Sequence, residues 1–109
     1  MLPITDFKVT ASRSGDECRI VATGELDIAT APLLDAAFEE ARVSDARAIV
    51  VDLGGLSFVD STGLRALLNI AAACEQGRLR MVSAQALDRV AEIAGVRDLL
   101  PIADRSPEA

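Results

Sequence analysis

Residues 48–53, Ala-Ile-Val-Val-Asp-Leu, form a nearly continuous apolar run that is rich in β-branched side chains. A strand with one solvent-exposed face alternates apolar and polar residues, so an unbroken apolar run is typical of a strand covered on both faces. The following pair, Gly54 and Gly55, is expected to break this strand. The run therefore predicts a central strand in a layered fold, with other elements packed against it.

The segment before the central strand has the pattern of a β-hairpin followed by a helix. Apolar residues alternate with polar ones in 7–11 and in 18–22, on either side of the turn-forming residues 12–16. Thr30 is a suitable N-cap, and Pro32 fits the first turn of a helix, where its missing N–H would have no partner. The apolar face of this helix is predicted to consist of Leu33, Leu34, Ala37, Phe38 and Ala41.

The segment after the central strand predicts two further helices. The first begins at or beside Ser61 and should end at Gly77, because apolar residues recur at spacings of three and four between these positions. Residues 79–82 read as a short strand, and Ser83 is expected to cap a helix that Gly95 ends. Residues 99–102 contain a proline and suit an edge segment.

The predicted fold class is α/β, with a mixed sheet of four to five strands flanked by three or more helices. The sheet combines an antiparallel N-terminal hairpin with parallel strands joined by right-handed crossovers. A chain of 109 residues can close one core and has little left for a second. We therefore expect a single domain over residues 1–109, with its core at about 6–103 and a flexible tail at 104–109.

Composition argues against several classes of function. The formal charge is −6, from 11 basic and 17 acidic residues, so direct binding to nucleic acid is not expected. No apolar run approaches the ~20 residues that span a bilayer, and the N-terminus lacks the pattern of a secretory signal, so we expect a cytoplasmic protein without membrane attachment. Cys18 and Cys74 are interpreted as reduced core thiols, and no metal or cofactor is expected.

The block Asp60-Ser61-Thr62-Gly63 is the main candidate for a functional site. A serine hydroxyl at a helix N-terminus is exposed, and the free amides and helix dipole there favour an added anion such as phosphate. The same residue types are also ordinary helix caps, so from the residues alone the block could equally be a plain helix start.

Three segments carry a resemblance to a known family: residues 51–64 (Val-Asp-Leu-Gly-Gly-Leu-Ser-Phe-Val-Asp-Ser-Thr-Gly-Leu), residues 24–27 (Gly-Glu-Leu-Asp) and residues 30–34 (Thr-Ala-Pro-Leu-Leu). They resemble the STAS domain, and most closely the bacterial anti-sigma factor antagonists, over about residues 7–102. The resemblance implies that Ser61 is phosphorylated by a partner that is both an anti-sigma factor and a GHKL-type serine kinase. It also implies that the unphosphorylated form captures this partner and releases a sigma factor, and that a phosphatase resets the switch.

The resemblance also suggests which residues contact the partner. Besides Ser61, these are Asp27 and Asp60 as flanking carboxylates, and Thr62, Gly63, Arg65 and Asn69 in the helix that follows. For Arg65 and Asn69, the residues favour ordinary solvated surface over a partner contact, and Asp27 could equally be a plain turn residue. We expect a monomer or a weak dimer.

Two other classes of function compete with this interpretation. Nucleophilic catalysis by Ser61 lacks a proton shuttle, since the chain has no histidine and its only lysine, Lys8, is far from Ser61 in sequence. The chain is therefore not expected to be an enzyme. A constitutive STAS accessory subunit, for example of a lipid-transport ATPase, would need no phosphorylation and stays open as the alternative.

Overall fold

The computed structural model describes residues 7–103, which form one four-stranded sheet and three α-helices. In chain order the elements are β1 (Lys8–Ser14), β2 (Glu17–Leu26), α1 (Ala31–Arg42), β3 (Ala48–Val59), α2 (Ser61–Ala73), β4 (Leu79–Val82), α3 (Gln85–Ala94) and a 3₁₀ turn (Arg97–Leu99). The strand order is β1-β2-β3-β4, with β1 and β2 antiparallel and the other pairs parallel. The predicted mixed α/β fold is confirmed, whereas the predicted tail at 104–109 lies outside the described residues.

The core lies between one face of the sheet and the helices. Strand residues such as Ile20 and Val51 pair in register, which places their side chains on the same face. They form one buried cluster with Phe38 of α1, Leu67 of α2 and Leu87 of α3. The molecule therefore has two layers, because a sheet face and three amphipathic helices bury each other.

The central strand is buried on both faces, as predicted, but different groups cover the two faces. Val50 points to the face opposite the core cluster, yet it is buried. In the ladder it lies between Arg19 of β2 and Arg80 of β4, both on that same face. Long arginine side chains can cover an apolar neighbour with their methylene stems, so an apolar residue persists there without a covering helix.

The predicted break at Gly54 and Gly55 is wrong, because β3 continues to Val59. The strand stays paired with β2 through the two glycines, and the register of this pairing shifts at two places. A Cβ on Gly55 would lie 2.6 Å from Cγ2 of Thr23 on the neighbouring strand. The glycine therefore permits a close approach between strands and does not end one of them.

Several details of the helices differ from prediction. Thr30 occupies the N-cap position of α1 as predicted, but its side chain makes no cap hydrogen bond. Leu33 is exposed although it was assigned to the buried face.

The ends of the other two helices also differ from prediction. The C-cap of α2 is Cys74 and not Gly77, and the N-cap of α3 is Ala84 and not Ser83. The Ser83 hydroxyl instead donates to Oδ1 of Asp88 at 2.7 Å.

Arg78 ties together three segments at the end of the sheet where β3 and β4 begin. Its guanidinium donates to the carbonyl oxygens of Ala46 at 3.1 Å, Ser44 at 3.2 Å and Ala41 at 3.4 Å. It also pairs with Glu75, and its side chain is only 14 % exposed. These bonds connect the end of α1 and the loop before β3 to the residue that precedes β4.

Candidate functional site

The start of α2 meets the end of β2. The N–H of Asp60 donates to the carbonyl oxygen of Leu26 at 3.2 Å. The Asp60 carboxylate then accepts the N–H of Gly63 at 2.8 Å, which makes Asp60 the N-cap of α2. This side-chain cap satisfies one of the free amides of the first turn and fixes the direction in which the helix leaves β3.

Ser61 is the first residue of α2, and it is exposed. The next two residues are progressively less accessible, since Thr62 is half-buried and Gly63 is buried. An exposed hydroxyl on the first helical turn is accessible to a partner and lies near the positive end of the helix dipole. Among the three, Ser61 is therefore the side chain that a modifying enzyme can reach most easily.

Gly63 lets the backbone of α2 touch β2. A Cβ on Gly63 would lie 2.5 Å from the carbonyl oxygen of Leu26 and 2.9 Å from its Cγ. Real Cβ atoms do not approach backbone oxygens so closely, and the Leu26 carbonyl is held by Asp60. This close contact explains why position 63 is a glycine. The contact also places Ser61 directly beside the turn that follows β2.

Asp27 organises that turn from within. Its Oδ1 accepts the N–H groups of Ala29 at 3.0 Å and Thr30 at 3.1 Å. The Thr30 hydroxyl accepts the N–H of Asp27 at 2.9 Å and donates to the carbonyl oxygen of Glu25 at 2.8 Å. These hydrogen bonds confirm that Asp27 is a turn residue. The same turn brings its carboxylate to the end of the sheet where α2 begins.

The remaining predicted contact residues lie on the solvent side of α2. Arg65 and Asn69 are both exposed and lie four positions apart, so they share one face of the helix with Ser61.

The sequence did not indicate that three large apolar side chains near this site are exposed, namely Ile28, Leu33 and Phe58. For Ile28 a signal was present, since it lies between the turn residue Asp27 and the predicted N-cap Thr30, outside any predicted strand or helix that could bury it.

Residues 7–103 contain no group of three or more His, Cys, Asp or Glu side chains placed to hold a metal ion. The two cysteines are free and half-buried, and burial raises the pKa of the Cys74 thiol. A raised pKa lowers the thiolate fraction and hence the reactivity of the thiol. Over the same residues, the helices are too short or too polar to cross a membrane.

Comparison with known proteins agrees with this fold. A family model described as "Mlab, STAS domain" matches residues 9–101. The chain belongs to the STAS domain family.

Among named relatives, the anti-sigma-B factor antagonist of Listeria monocytogenes is 31% identical over 93 residues, which cover 83% of this chain and 82% of the relative. A solved anti-sigma factor antagonist from Mycobacterium paratuberculosis superposes with a TM-score of 0.81 at 21% identity, covering 94% of this chain and 90% of that one. The anti-sigma factor antagonist SpoIIAA in its unphosphorylated form gives a TM-score of 0.64 at 21% identity, with 94% and 92% covered. At this identity, the two solved structures establish the fold alone.

Proposed function

We propose that this protein is an anti-sigma factor antagonist whose binding is controlled by phosphorylation of Ser61. The unphosphorylated form binds a GHKL-type anti-sigma factor that is also a serine kinase, and a sigma factor is released. Phosphorylation by that kinase ends the interaction, and a phosphatase restores it. The protein acts in the cytoplasm as a monomer or weak dimer, by binding and not by catalysis.

The observation that carries the proposal is the exposure of Ser61 on the first turn of α2. A phosphate added there projects into solvent, and the dipole of a 13-residue helix favours the negative charge. The neighbouring cap of Asp60 on Gly63 uses the N–H of a different residue. The domain can therefore accept the modification without unfolding or rebuilding its core.

The physical effect of the phosphate is large enough for a switch. Phosphorylation adds roughly −1.5 to −2 charges at pH 7 to a surface that already carries Asp60 and Asp27. A partner fitted to the neutral hydroxyl would have to bury this unpaired charge, which costs several kcal/mol. A tenfold loss of affinity requires only about 1.4 kcal/mol. Repulsion at the interface is thus sufficient, and no global conformational change is needed.

Two comparisons support the assignment. The bacterial relatives that match over most of the chain are named anti-sigma-B factor antagonists. The related SpoIIAA structure is described as the unphosphorylated form of an antagonist, a description that makes phosphorylation relevant to that protein. We transfer both properties to this chain because the matched region covers 83% of it and because it contains the block Asp60-Ser61-Thr62-Gly63.

A second candidate is a constitutive accessory subunit of another complex, such as a lipid-transport ATPase. One observation favours it: the family model that matches residues 9–101 carries the description "Mlab, STAS domain" and not the name of an antagonist. Such a subunit would bind its partner through this fold without being modified. Phosphorylation of Ser61 therefore distinguishes the two candidates.

The test is incubation with ATP and each purified GHKL-type anti-sigma factor encoded in the same genome, followed by mass spectrometry. We expect one phosphate, located on Ser61, and no incorporation into Ser61→Ala. Amide chemical shifts of the phosphorylated protein should change only near the start of α2. Absence of phosphate at Ser61 with every kinase would favour the accessory subunit, and shifts throughout the sheet would contradict the local mechanism.

A further inference from the structure

Arg65 is the only charged residue of α2, whose sequence is Ser-Thr-Gly-Leu-Arg-Ala-Leu-Leu-Asn-Ile-Ala-Ala-Ala. Its side chain is exposed, and within residues 7–103 no carboxylate is close enough to form an ion pair with its guanidinium. A cation near the start of a helix also gains nothing from the helix dipole, which favours anions there. No contact within the described part of the chain therefore accounts for a positive charge at this position.

The neighbouring helix α1 shows how this chain pairs an arginine with an anion on the same helix. Arg42 donates from Nε to Oε1 of Glu39 at 3.0 Å. The carboxylate precedes the arginine by three residues, about one helical turn. One turn before Arg65, the corresponding positions are Thr62 and Ser61, which carry hydroxyl groups. Phosphorylation of Ser61 therefore places an anion where α1 has a carboxylate.

Ser61 and Arg65 lie on the same row of the helix surface. Residues four positions apart in a helix have Cβ atoms about 5–6 Å from each other. Helical side chains lean toward the N-terminus, so a long side chain at position 65 extends over the turn that begins at Ser61. Because Ser61 is exposed whereas Thr62 is half-buried, Ser61 is the hydroxyl whose phosphate a guanidinium in solvent can reach.

A phosphate on Ser61 has the charge and the shape that a guanidinium binds. It carries roughly −1.5 to −2 charges at pH 7 and three acceptor oxygens, and the planar guanidinium donates to two of them in parallel. An anion that precedes its cation by four residues is also the favourable order for a pair in a helix. The carboxylate of Asp60 is engaged at the N-cap, where its Oδ1 accepts the N–H of Gly63, and among the described residues it forms no ion pair with Arg65.

We propose that Arg65 binds the phosphate added to Ser61, so that the phosphorylated protein contains an ion pair within α2 that the unmodified protein lacks. This inference rests on the proposed function and adds a regulatory residue to the same site. One positive charge against roughly −1.5 to −2 leaves the surface negative, so the repulsion of the partner persists. The pair also withdraws Arg65, which in the unmodified protein is exposed and available to an acidic group of the anti-sigma factor. Phosphorylation thus adds a negative charge and removes an exposed cation in one step.

The test uses the full chain with phosphoserine encoded genetically at position 61, so that it needs no kinase. Titration followed by ³¹P NMR gives the pKa of the phosphate in the otherwise unchanged protein, in Arg65→Gln and in Arg65→Lys. A nearby cation favours the dianion, so Arg65→Gln should raise this pKa by about 0.3 or more. Arg65→Lys keeps the charge and loses the planar fork, so it should raise the pKa by less than Arg65→Gln does.

The other charged groups around α2 are the same in these proteins, so their effects on the pKa of the phosphate cancel in the comparison. They are Glu25, Asp27 and Asp60 between the end of β2 and the start of α2, and the charged residues of the neighbouring helices, Asp35, Glu39, Glu40 and Arg42 of α1 and Asp88, Arg89 and Glu92 of α3.

Arg47→Gln is the matched control, because Arg47 is an exposed arginine that directly precedes β3, whereas Ser61 follows the other end of that strand. Twelve residues of β3 separate the two positions by roughly 30 Å or more. This distance exceeds the Debye length of about 10 Å at 0.1 M salt, so the pKa of the phosphate should not change. Thermal unfolding of each variant verifies that the fold is retained.

The outcomes separate the ion pair from the proposed function. Equal phosphate pKa values with and without Arg65 would overturn the ion pair, and so would a rise of the same size in Arg47→Gln, since net charge would then explain the effect. In either case the proposed function stands if a purified anti-sigma factor phosphorylates Ser61. If none of them does, the proposed function fails, while the encoded phosphoserine still decides whether Arg65 binds a phosphate at this position.

Discussion

Gly63 is in backbone contact with Leu26: a Cβ at this glycine would lie 2.5 Å from the Leu26 carbonyl oxygen. The same carbonyl accepts the N–H of Asp60, so α2 and β2 meet at one point. Ser61 lies between these two contacts along the chain. Its position relative to the turn of Asp27 is thus fixed by packing and not by a flexible loop.

Gly63→Ala is expected to destabilise the protein by about 1 to 3 kcal/mol, because the added methyl group must displace the end of β2. Alanine is the better helix former, so helix propensity alone predicts the opposite sign. The free energy of unfolding from urea titration decides between them. A variant as stable as the wild type, or more stable, would show that the close contact is not required.

Asp60→Ala should reduce stability by about 1 kcal/mol, since the N–H of Gly63 loses its side-chain acceptor. Asp60→Asn is the matched control, because asparagine is an equally good cap and removes only the charge. We expect the asparagine variant to unfold at nearly the wild-type urea concentration. Equal losses for the two variants would mean that the charge of Asp60, and not its cap, stabilises α2.

Arg78→Ala is predicted to be the most damaging single arginine substitution, with a loss of about 1.5 to 3 kcal/mol. Its guanidinium donates to three backbone carbonyls between the end of α1 and the start of β3, and lysine cannot reproduce that fork. Arg78→Lys should therefore recover only part of the stability. Arg89→Ala, at an exposed position on α3, is the control and should change stability by less than about 0.5 kcal/mol. Similar melting temperatures for the Arg78 and Arg89 variants would contradict this role.

The fold could be predicted from sequence because local patterns and tertiary packing agree in most elements. The hairpin, the strand that begins at Ala48, and the helix that begins at Ser61 each combine the correct periodicity with a suitable turn or cap residue. The continuation of β3 through Gly54 and Gly55 could not be predicted in this way. It depends on a neighbouring strand, where Thr23 packs against the position that a side chain would occupy.

The geometry of the candidate site could be predicted in part. Ser61 and Asp60 lie in a local motif, so their helix-start geometry follows from sequence. The position of Asp27 beside them depends on the parallel pairing of β2 with β3, which is a long-range contact. Leu33 was assigned to the core because its spacing fits the buried face of α1, but the buried residues of that helix are Ala31, Leu34, Phe38 and Ala41, and Leu33 lies exposed beside them. Periodicity reports which residues share a face, and it does not report where that face stops being covered.

The central claim is that a charge at Ser61, and not a change in fold, controls binding to the anti-sigma factor. Calorimetric titration of that partner with the unmodified protein, the Ser61-phosphorylated protein, Ser61→Ala and Ser12→Asp tests it most directly, where Ser12→Asp adds a charge at an exposed position on β1. We predict that phosphorylation raises the Kd at least tenfold, which corresponds to about 1.4 kcal/mol, while Ser61→Ala and Ser12→Asp bind like the wild type. Equal Kd values for the phosphorylated and unmodified proteins would contradict the account.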